Sequence, residues 1–351
     1  MKRIAVFMIG TIALVGVAMA AFAGVPPVDF QTMVATDIGS AGLPMLGFAG
    51  LIVNKESLGA AFTSIKTIFN NAFAAAPSNW ERTTMLVPSG SSQNDYTWLT
   101  AFPKMRKWVG DKVVKSLGAF KYSVTNDDFE ATVEVDRNDI EDDNLGIYAP
   151  QAQMAGFSAR QLPDEIDADL KNAAFASECF DGQYFYDTDH PVGNGVASNK
   201  MTKALSAATR AAADASYGVA RTAVLSQKDA EGRPLALIPD VLEVPPALEM
   251  TARNLVEMEK LADDTPNPYR GTATVMVNPR LTSTTAWFLH VTNMPVKPFI
   301  YQERKAPVFV SQTDMQADDV FSRKKYKFGA EARAAGAYGL WQLSHGSLGT
   351  T

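Results

Sequence analysis

Leu58, Phe62, Ile65, Phe69 and Phe73 recur at steps of three and four residues. That spacing puts them on one face of an amphipathic helix. Asn54 and Glu56 give the helix a capped, acidic start, and Pro77-Ser-Asn79 stops it. Val87-Pro-Ser-Gly-Ser-Ser-Gln-Asn94 is a polar tip between apolar flanks. Residues 120–124 and 129–135 alternate apolar and polar positions around Thr125-Asn-Asp-Asp128, which predicts a β-hairpin. The acidic run from Asp136 to Asp143 then opens a helical stretch from about Leu145 to Phe180, since carboxylates suit the exposed amides of a helix start. Ile166, Leu170, Ala173, Ala174 and Ser177 keep helical spacing there, and Pro150 and Pro163 are places where the helix would kink or divide.

The second half is more broken. Residues 201–226 are alanine-rich and read as helix. A turn at 229–234 leads to two short buried strands, 235–238 and 241–244, split by Pro239-Asp240. Pro245-Pro246 leads into a helix over 247–261. A proline-rich loop (263–269) and a strand (272–277) follow, and the tail carries strand patterns at 298–303, 308–310 and 325–330. Helices and strands mix without a repeating βαβ unit, so the fold class is α+β.

The first residues change the picture. Met1-Lys-Arg3 is basic, and residues 4–23 are apolar and small with two cleavage-like tripeptides. By composition this is a signal peptide. A second apolar run, 38–53, follows Pro26-Pro27 and is too broken for a membrane span. The net charge of −6 and pI near 5.2 argue against a dedicated nucleic-acid binder. The single Cys179 excludes an internal disulfide and a thiolate zinc cluster.

The chemistry-bearing stretch is Asp181-Gly-Gln-Tyr-Phe-Tyr-Asp-Thr-Asp-His-Pro191, which places three aspartates, a histidine and three aromatics on a loop. Asp187, Asp189 and His190 could hold a divalent cation, but three ligands on a short loop fit better as turn-forming aspartates. Cys179 with His190 could form a nucleophile and base, but no third, orienting group is identified for them. A cysteine near a helix end more often packs as a small apolar residue. Asp139, Glu141, Asp142 and Asp143 could pair as catalytic carboxylates, but capping and solvation account for them. Lys104, Arg106 and Lys107 among Phe102 and Trp108 could form a nucleic-acid platform, or a surface that faces a partner. No phosphate loop, nucleophile elbow or metal-spaced histidine pair occurs. No catalytic, cofactor-binding or metal residue is therefore assigned.

Taken in order, the motifs from about Leu51 to Gly346 resemble the Mu-like phage major head subunits, the gpT family of major capsid proteins. The carrying segments are Ile52-Val-Asn-Lys-Glu-Ser-Leu58, Phe69-Asn-Asn-Ala-Phe73 with Ala76-Pro-Ser78, Trp98 with Phe102-Pro103, and Trp108-Val-Gly-Asp111. Val135-Asp-Arg-Asn-Asp-Ile-Glu-Asp-Asp143 with Gly146-Ile-Tyr-Ala-Pro150 comes next, then Phe180 with the loop to Pro191. Val244-Pro-Pro-Ala-Leu-Glu249 and Ile300-Tyr-Gln-Glu-Arg-Lys305 with Gly339-Leu-Trp-Gln-Leu343 complete the set. The resemblance implies an HK97-like capsid fold and a structural role, not an enzyme. Residues 1–50 would be a signal-like or leader extension outside the fold, and 51–81 an N-terminal arm. Residues 82–129 would hold an extended loop, 130–190 a peripheral domain with a long spine helix, and 191–293 an axial domain. Residues 294–346 would return as strands to the peripheral domain. It further implies that the chain assembles with itself, in the host cytoplasm, into pentamers and hexamers of an icosahedral virion head around double-stranded DNA. A scaffold or protease and a portal would be its assembly partners. The alternative is an exported envelope protein, or a cysteine-dependent enzyme with a cleaved signal peptide.

Overall fold

The computed structural model describes residues 55–100, 122–141, 145–312, 314 and 318–351. The signal-like start, Asn54, the Lys104–Trp108 platform and Asp142 and Asp143 lie outside the described residues. Two sheets organise what is described. Helix α1 (Lys55–Ala75) and helix α2 (Ala149–Ala173) pack on each other and cover a four-stranded sheet. That sheet has the order β1 (Thr84–Pro88), β11 (Phe299–Gln312), β12 (Lys325–Tyr338), β4 (Asp127–Asp136). The five-stranded sheet has the order β7 (Lys200–Met201), β13 (Ser344–Ser347), β10 (Trp287–His290), β8 (Val241–Val244), β9 (Thr274–Val277). Two small ladders, β2 (Gln93–Asp95) with β3 (Ser123–Thr125) and β5 (His190–Val192) with β6 (Gly195–Ala197), complete it.

The aromatic stripe of α1 is core. Phe62 and Ile65 meet Val135, Tyr326 and Phe328 on the sheet, and Phe69 packs against Phe309 and α2. Gly156 marks where α2 crosses α1. A Cβ there would lie 2.4 Å from the Phe69 carbonyl oxygen. Glycine costs a helix about 1 kcal/mol against alanine, so its place inside α2 reflects this close approach. Gly156→Ala is expected to destabilise the chain by about 1–3 kcal/mol through overpacking, despite the better helix propensity. A urea midpoint equal to or above wild type would contradict that account.

Several sequence expectations change, each for a tertiary reason. The described residues 122–135 do not form the predicted hairpin: β3 pairs with β2, and β4 pairs with β12 from Lys325↔Asp136 to Ala334↔Asp127. A ten-residue partner outweighs a local one. β4 is then a sheet edge, and Asp127, Asp128, Glu130 and Glu134 give it the charge that discourages stray pairing. The acidic run opens a short helix of its own, Arg137–Glu141, where Asp136 accepts from the Asn138 amide at 2.9 Å and Asp139 accepts from the Tyr148 hydroxyl. α2 opens instead on Pro150, in a first turn where the missing N–H costs nothing. It runs unbroken through buried Pro163. It ends at Ala173 and does not continue to Phe180, because the chain folds back: the Tyr186 amide bonds the Ala174 carbonyl and the Phe185 amide bonds that of Ser177.

In the second half, helix α3 spans residues 210–225 with a π-helical turn at Asp214–Gly218. It starts at Thr209, whose hydroxyl accepts from the Ala212 amide at 3.2 Å. Residues before it are drawn into β7, beside β13. Residues 235–238 bury Leu235 and Leu237 but join no ladder, and Ala236 sits at φ 56°. Helix α4 is Glu249–Val256; Asn267 caps it through the Leu255 and Met258 carbonyls at 2.7 and 2.9 Å. The strand patterns at 298–303 and 308–310 are one strand, β11, with register shifts between Glu303 and Val308 beside Pro307, which cannot donate to the ladder. Residues 294–346 divide: β11 and β12 lie in the four-stranded sheet, and β13 crosses to the five-stranded one.

The largest core lies where the two halves meet, and includes Phe185, Tyr186, Phe288, Phe299, Tyr338 and Trp341. A second core, with Tyr217, Leu242, Val244, Leu255, Trp287 and Leu289, covers the other face of the five-stranded sheet. β8, β10 and β13 are buried on both faces, so their sequences read as continuous runs without alternation.

Candidate functional site

Two features stand out by chemistry and one by surface. The first is a buried charge cluster at the junction of the sheets. Lys171, in the last turn of α2, is fully buried. Its Nζ lies 2.6 Å from Asp167 one turn earlier, 2.7 Å from Glu243 on β8 and 2.9 Å from the Thr83 hydroxyl. Asp167 also accepts from Thr84 at the start of β1. Glu243 also accepts from Asn278 at 2.7 Å and lies 3.0 Å from His290 Nε2 on β10. His290 Nδ1 reaches Ser344 on β13 at 2.9 Å, and Ser344 reaches Tyr186 at 2.6 Å. One polar chain therefore ties α2 and β1 to β8, β10 and β13.

Its electrostatics follow from burial and pairing. Burial pushes Asp167 up to about 6, with Lys171 only partly offsetting it. Burial also acts on Glu243, but Lys171 and His290 outweigh it and hold that carboxyl at about 2. Burial would lower Lys171, yet the two carboxylates raise it above the usual lysine value. Burial lowers His290 below its ordinary value. The arrangement holds one cation against two carboxylates in a dry interior, which makes it a structural clasp with no open face for a substrate.

The second feature is the stretch the sequence singled out. The 181–191 segment sends three side chains into the core: Phe185 and Tyr186 are fully buried, and His190 begins β5 with its ring stacked on Trp341 at 4.1 Å, while Tyr184, Thr188 and Asp189 are exposed. Asp181 receives the Gln183 amide and Asp187 the Thr188 amide, so these aspartates do shape turns. Asp187 and Asp189 are not gathered with His190 into a ligand set. Among the described residues the mixed ligand group is Cys179, Asp181 and His190, whose ligand atoms all lie within 4.8 Å. The orienting residue the sequence did not supply is thus Asp181. It does not activate the thiol. Cys179 Sγ donates to Asp181 at 3.1 Å, and Asp181 stands between it and His190 Nδ1 at 2.8 Å. Burial pushes the thiol well up, and Asp181 adds to the effect. A nucleophilic cysteine needs the opposite.

The third feature is an exposed apolar face. Met154 (72% exposed) and Phe157 (44%) project from α2 beside Ile68, Ala72 and Ala75 of α1, lining a groove of about 630 Å3. Contiguous apolar surface of this kind marks contact with another macromolecule. Among the described residues no helix is long and apolar enough to cross a membrane.

Sequence reasoning missed Lys171, Glu243 and His290. Two signals were there: a glutamate inside the apolar run Val241-Leu-Glu-Val244, and a lysine one turn after Asp167 on the face that carries Ile166 and Leu170.

The comparisons with known proteins agree with this picture. The family model described as "Mu-like prophage major head subunit gpT" matches residues 58–215, 205–281 and 280–350. The major capsid protein of Escherichia phage Mu is 31% identical over 294 residues, 84% of this chain and 74% of that protein. The Mu-like prophage FluMu major head subunit of Haemophilus influenzae is 29% identical over 297 residues, 85% of this chain and 75% of that protein. Among solved structures, the procapsid of bacteriophage JBD30 matches with a TM-score of 0.53 at 30% identity, covering 84% of this chain and 76% of that one. The fold is an α+β, HK97-like capsid fold, and the relatives are structural head proteins rather than enzymes. The chain belongs to the Mu-like prophage major head subunit gpT family, the major capsid proteins of phage heads.

Proposed function

We propose that this chain self-assembles into pentamers and hexamers of an icosahedral head that encloses double-stranded DNA. The observation that carries the reading is the exposed apolar face of α1 and α2, on a chain whose family is that of major head subunits. A lone monomer gains nothing from leaving Met154 and Phe157 in water, whereas a neighbouring subunit in a closed ring covers them. In this reading residues 51–81 with α1 are the arm, and 82–129 hold the extended loop. α2 is the spine helix of a peripheral domain over 130–190. Residues 191–293 form the axial domain, with the five-stranded sheet as its core completed by β13 from the returning tail. Residues 1–50 are a signal-like or leader extension in this reading. Assembly takes place in the host cytoplasm with a scaffold or protease and a portal as partners, and the DNA is confined by the container rather than gripped.

Electron microscopy of the purified chain tests this. Rings, sheets or shells are expected; stable monomers alone under every condition would count heavily against it. The paired substitution Met154→Glu with Phe157→Glu is expected to cut the assembled fraction at least about tenfold. The monomer should stay within about 0.5 kcal/mol of wild-type stability, as exposed sites generally do. Unchanged assembly would remove this face from the interface. The mass of the mature N-terminus decides separately whether residues 1–50 are removed.

A further inference from the structure

Cys179, Asp181 and His190 come from a tight turn and the first residue of a strand. The Cys179 amide bonds the Gln183 carbonyl, the Gly182 amide bonds the Cys179 carbonyl, and Gly182 takes φ +81°, where a side chain would be strained. This turn aims Sγ and the Asp181 carboxylate at the ring of His190. Cys179 and His190 are buried, and the Asp181 side chain keeps only 8% of its exposure.

The hydrogen-bond pattern around His190 is informative. Its Nε2 lies 3.2 Å from Asn199 Oδ1. The orientation of that amide is fixed independently: Asn199 Nδ2 donates to the Phe185 carbonyl at 2.8 Å, with the Trp341 and Ser344 carbonyls at 3.3 Å, and Oδ1 accepts from the Asp187 amide at 2.9 Å. Oδ1 can only accept, so His190 Nε2 carries its hydrogen. The Nδ1 side then faces the Asp181 carboxylate at 2.8 Å. Two acceptors cannot face each other in a dry interior. A proton or a metal ion has to lie between Nδ1 and Oδ2, and the Cys179 thiol reaches the other carboxylate oxygen, Oδ1, at 3.1 Å, so that all three ligand atoms lie within 4.8 Å of one another.

We propose that Cys179, Asp181 and His190 form a three-ligand site for a borderline-soft divalent cation of the zinc type. Thiolate, imidazole and one carboxylate oxygen are the donor set that zinc prefers, and hard cations such as magnesium avoid it. Zinc takes sulfur at about 2.3 Å and nitrogen or oxygen at about 2.0–2.2 Å, so tetrahedral ligands stand about 3.3–3.7 Å apart. The His190 and Cys179 contacts of 2.8 and 3.1 Å fall on different oxygens of Asp181, so the carboxylate has to turn to present one oxygen to the ion, and ligand atoms already within 4.8 Å of one another have to adjust to that spacing. In the exchange the metal replaces the thiol proton and the proton between Nδ1 and the carboxylate, and both go to solvent. Two positive charges leave and two arrive, so the buried charge is unchanged. Asn199 accepting from Nε2–H is the outer partner that holds a ligating histidine in orientation. The fourth position is left to water, on the side where Asp181 retains exposure. The bound metal would staple the turn after α2 to β5, and so stiffen the joint between the two halves of the fold.

The test uses the full chain, stripped with a chelator and titrated with cobalt(II), then reloaded with zinc. The expected result is a near-ultraviolet thiolate-to-cobalt absorption saturating at about one metal per chain, with a raised melting midpoint in zinc. Cys179→Ala should lose the absorption and retain zinc at least about tenfold more weakly, since removing even an outer partner costs that much. It should still melt near wild type in metal-free buffer, because alanine fills most of the same small pocket. If that variant fails to fold, Cys179→Ser serves in its place. Absence of the cobalt band in wild type, or equal zinc retention in wild type and variant, would overturn the proposal and leave a proton-mediated histidine–carboxylate pair.

Discussion

Lys171→Met is expected to lower the stability of the folded chain by about 3–5 kcal/mol, the usual cost of removing one partner from a buried ion pair. Lys171 is the cation facing both Asp167 and Glu243 in the clasp, and none of the three has water to fall back on. Met fills the volume but leaves two carboxylates about one lysine head apart with no neutralising charge. They would respond by taking up protons, so the loss should shrink toward acid pH, where the variant's two carboxyls are neutral folded and unfolded and the wild type loses the stability that its lowered Glu243 supplies. A triple variant, Lys171→Met with Asp167→Asn and Glu243→Gln, keeps the shape and removes every charge. It should recover most of the lost stability, because a well-packed neutral core often equals a buried ion pair. Urea midpoints of the three proteins at neutral pH decide the matter. Equal losses in single and triple variants would mean that Lys171 acts through packing rather than charge. The clasp joins α2 and β1 to the five-stranded sheet, so the single variant should also loosen that junction. Faster proteolysis near residues 174–190 is the expected sign.

Acid should destabilise the chain through His345, and the effect should disappear in His345→Gln. His345 lies on β13 opposite Leu289, is almost fully buried, and its Nδ1 finds no hydrogen-bond partner. Burial alone holds its pKa down at about 4, against 6.5 in the unfolded chain. The folded state therefore resists the proton that the unfolded state accepts. The contribution is fully present above pH 6.5 and is lost as pH falls from 6.5 toward 4. A depression of that size corresponds to about 3 kcal/mol across the window. His290, also lowered by burial, adds in the same direction. Asp167 acts oppositely, since a raised carboxyl makes the folded state the better proton acceptor between about 4 and 6. The difference between wild type and His345→Gln isolates the histidine. Parallel stability curves from pH 7 to 4 would show that His345 carries no such penalty.

Much of the architecture is legible along the chain. The stripe Leu58, Phe62, Ile65, Phe69, Phe73 predicts α1 because a helix buries one face at a fixed period, and Pro77 stops it as expected. Two prolines before α4 and the alternation through β4 are equally local signals. The ordered motifs from Leu51 to Gly346 also carry the family, whose model matches residues 58–350.

What the sequence alone determined is therefore the aromatic helix α1, the existence of a long second helix after the acidic run, the extended character of β4, β8, β11 and β12, and the family of head proteins to which the chain belongs. Only the tertiary structure decided which strands pair, where α2 ends, and which polar residues meet. β4 takes β12 rather than its neighbour because a long ladder with a buried face outweighs a short hairpin. Lys171, Glu243 and His290 read as ordinary charges until three distant segments bring them into one dry space, and Cys179 and His190 wait on Asp181 to stand between them. Local patterns record the period of a face being buried. They do not record its partner, because pairing and burial of charge depend on contacts between segments that no periodicity connects.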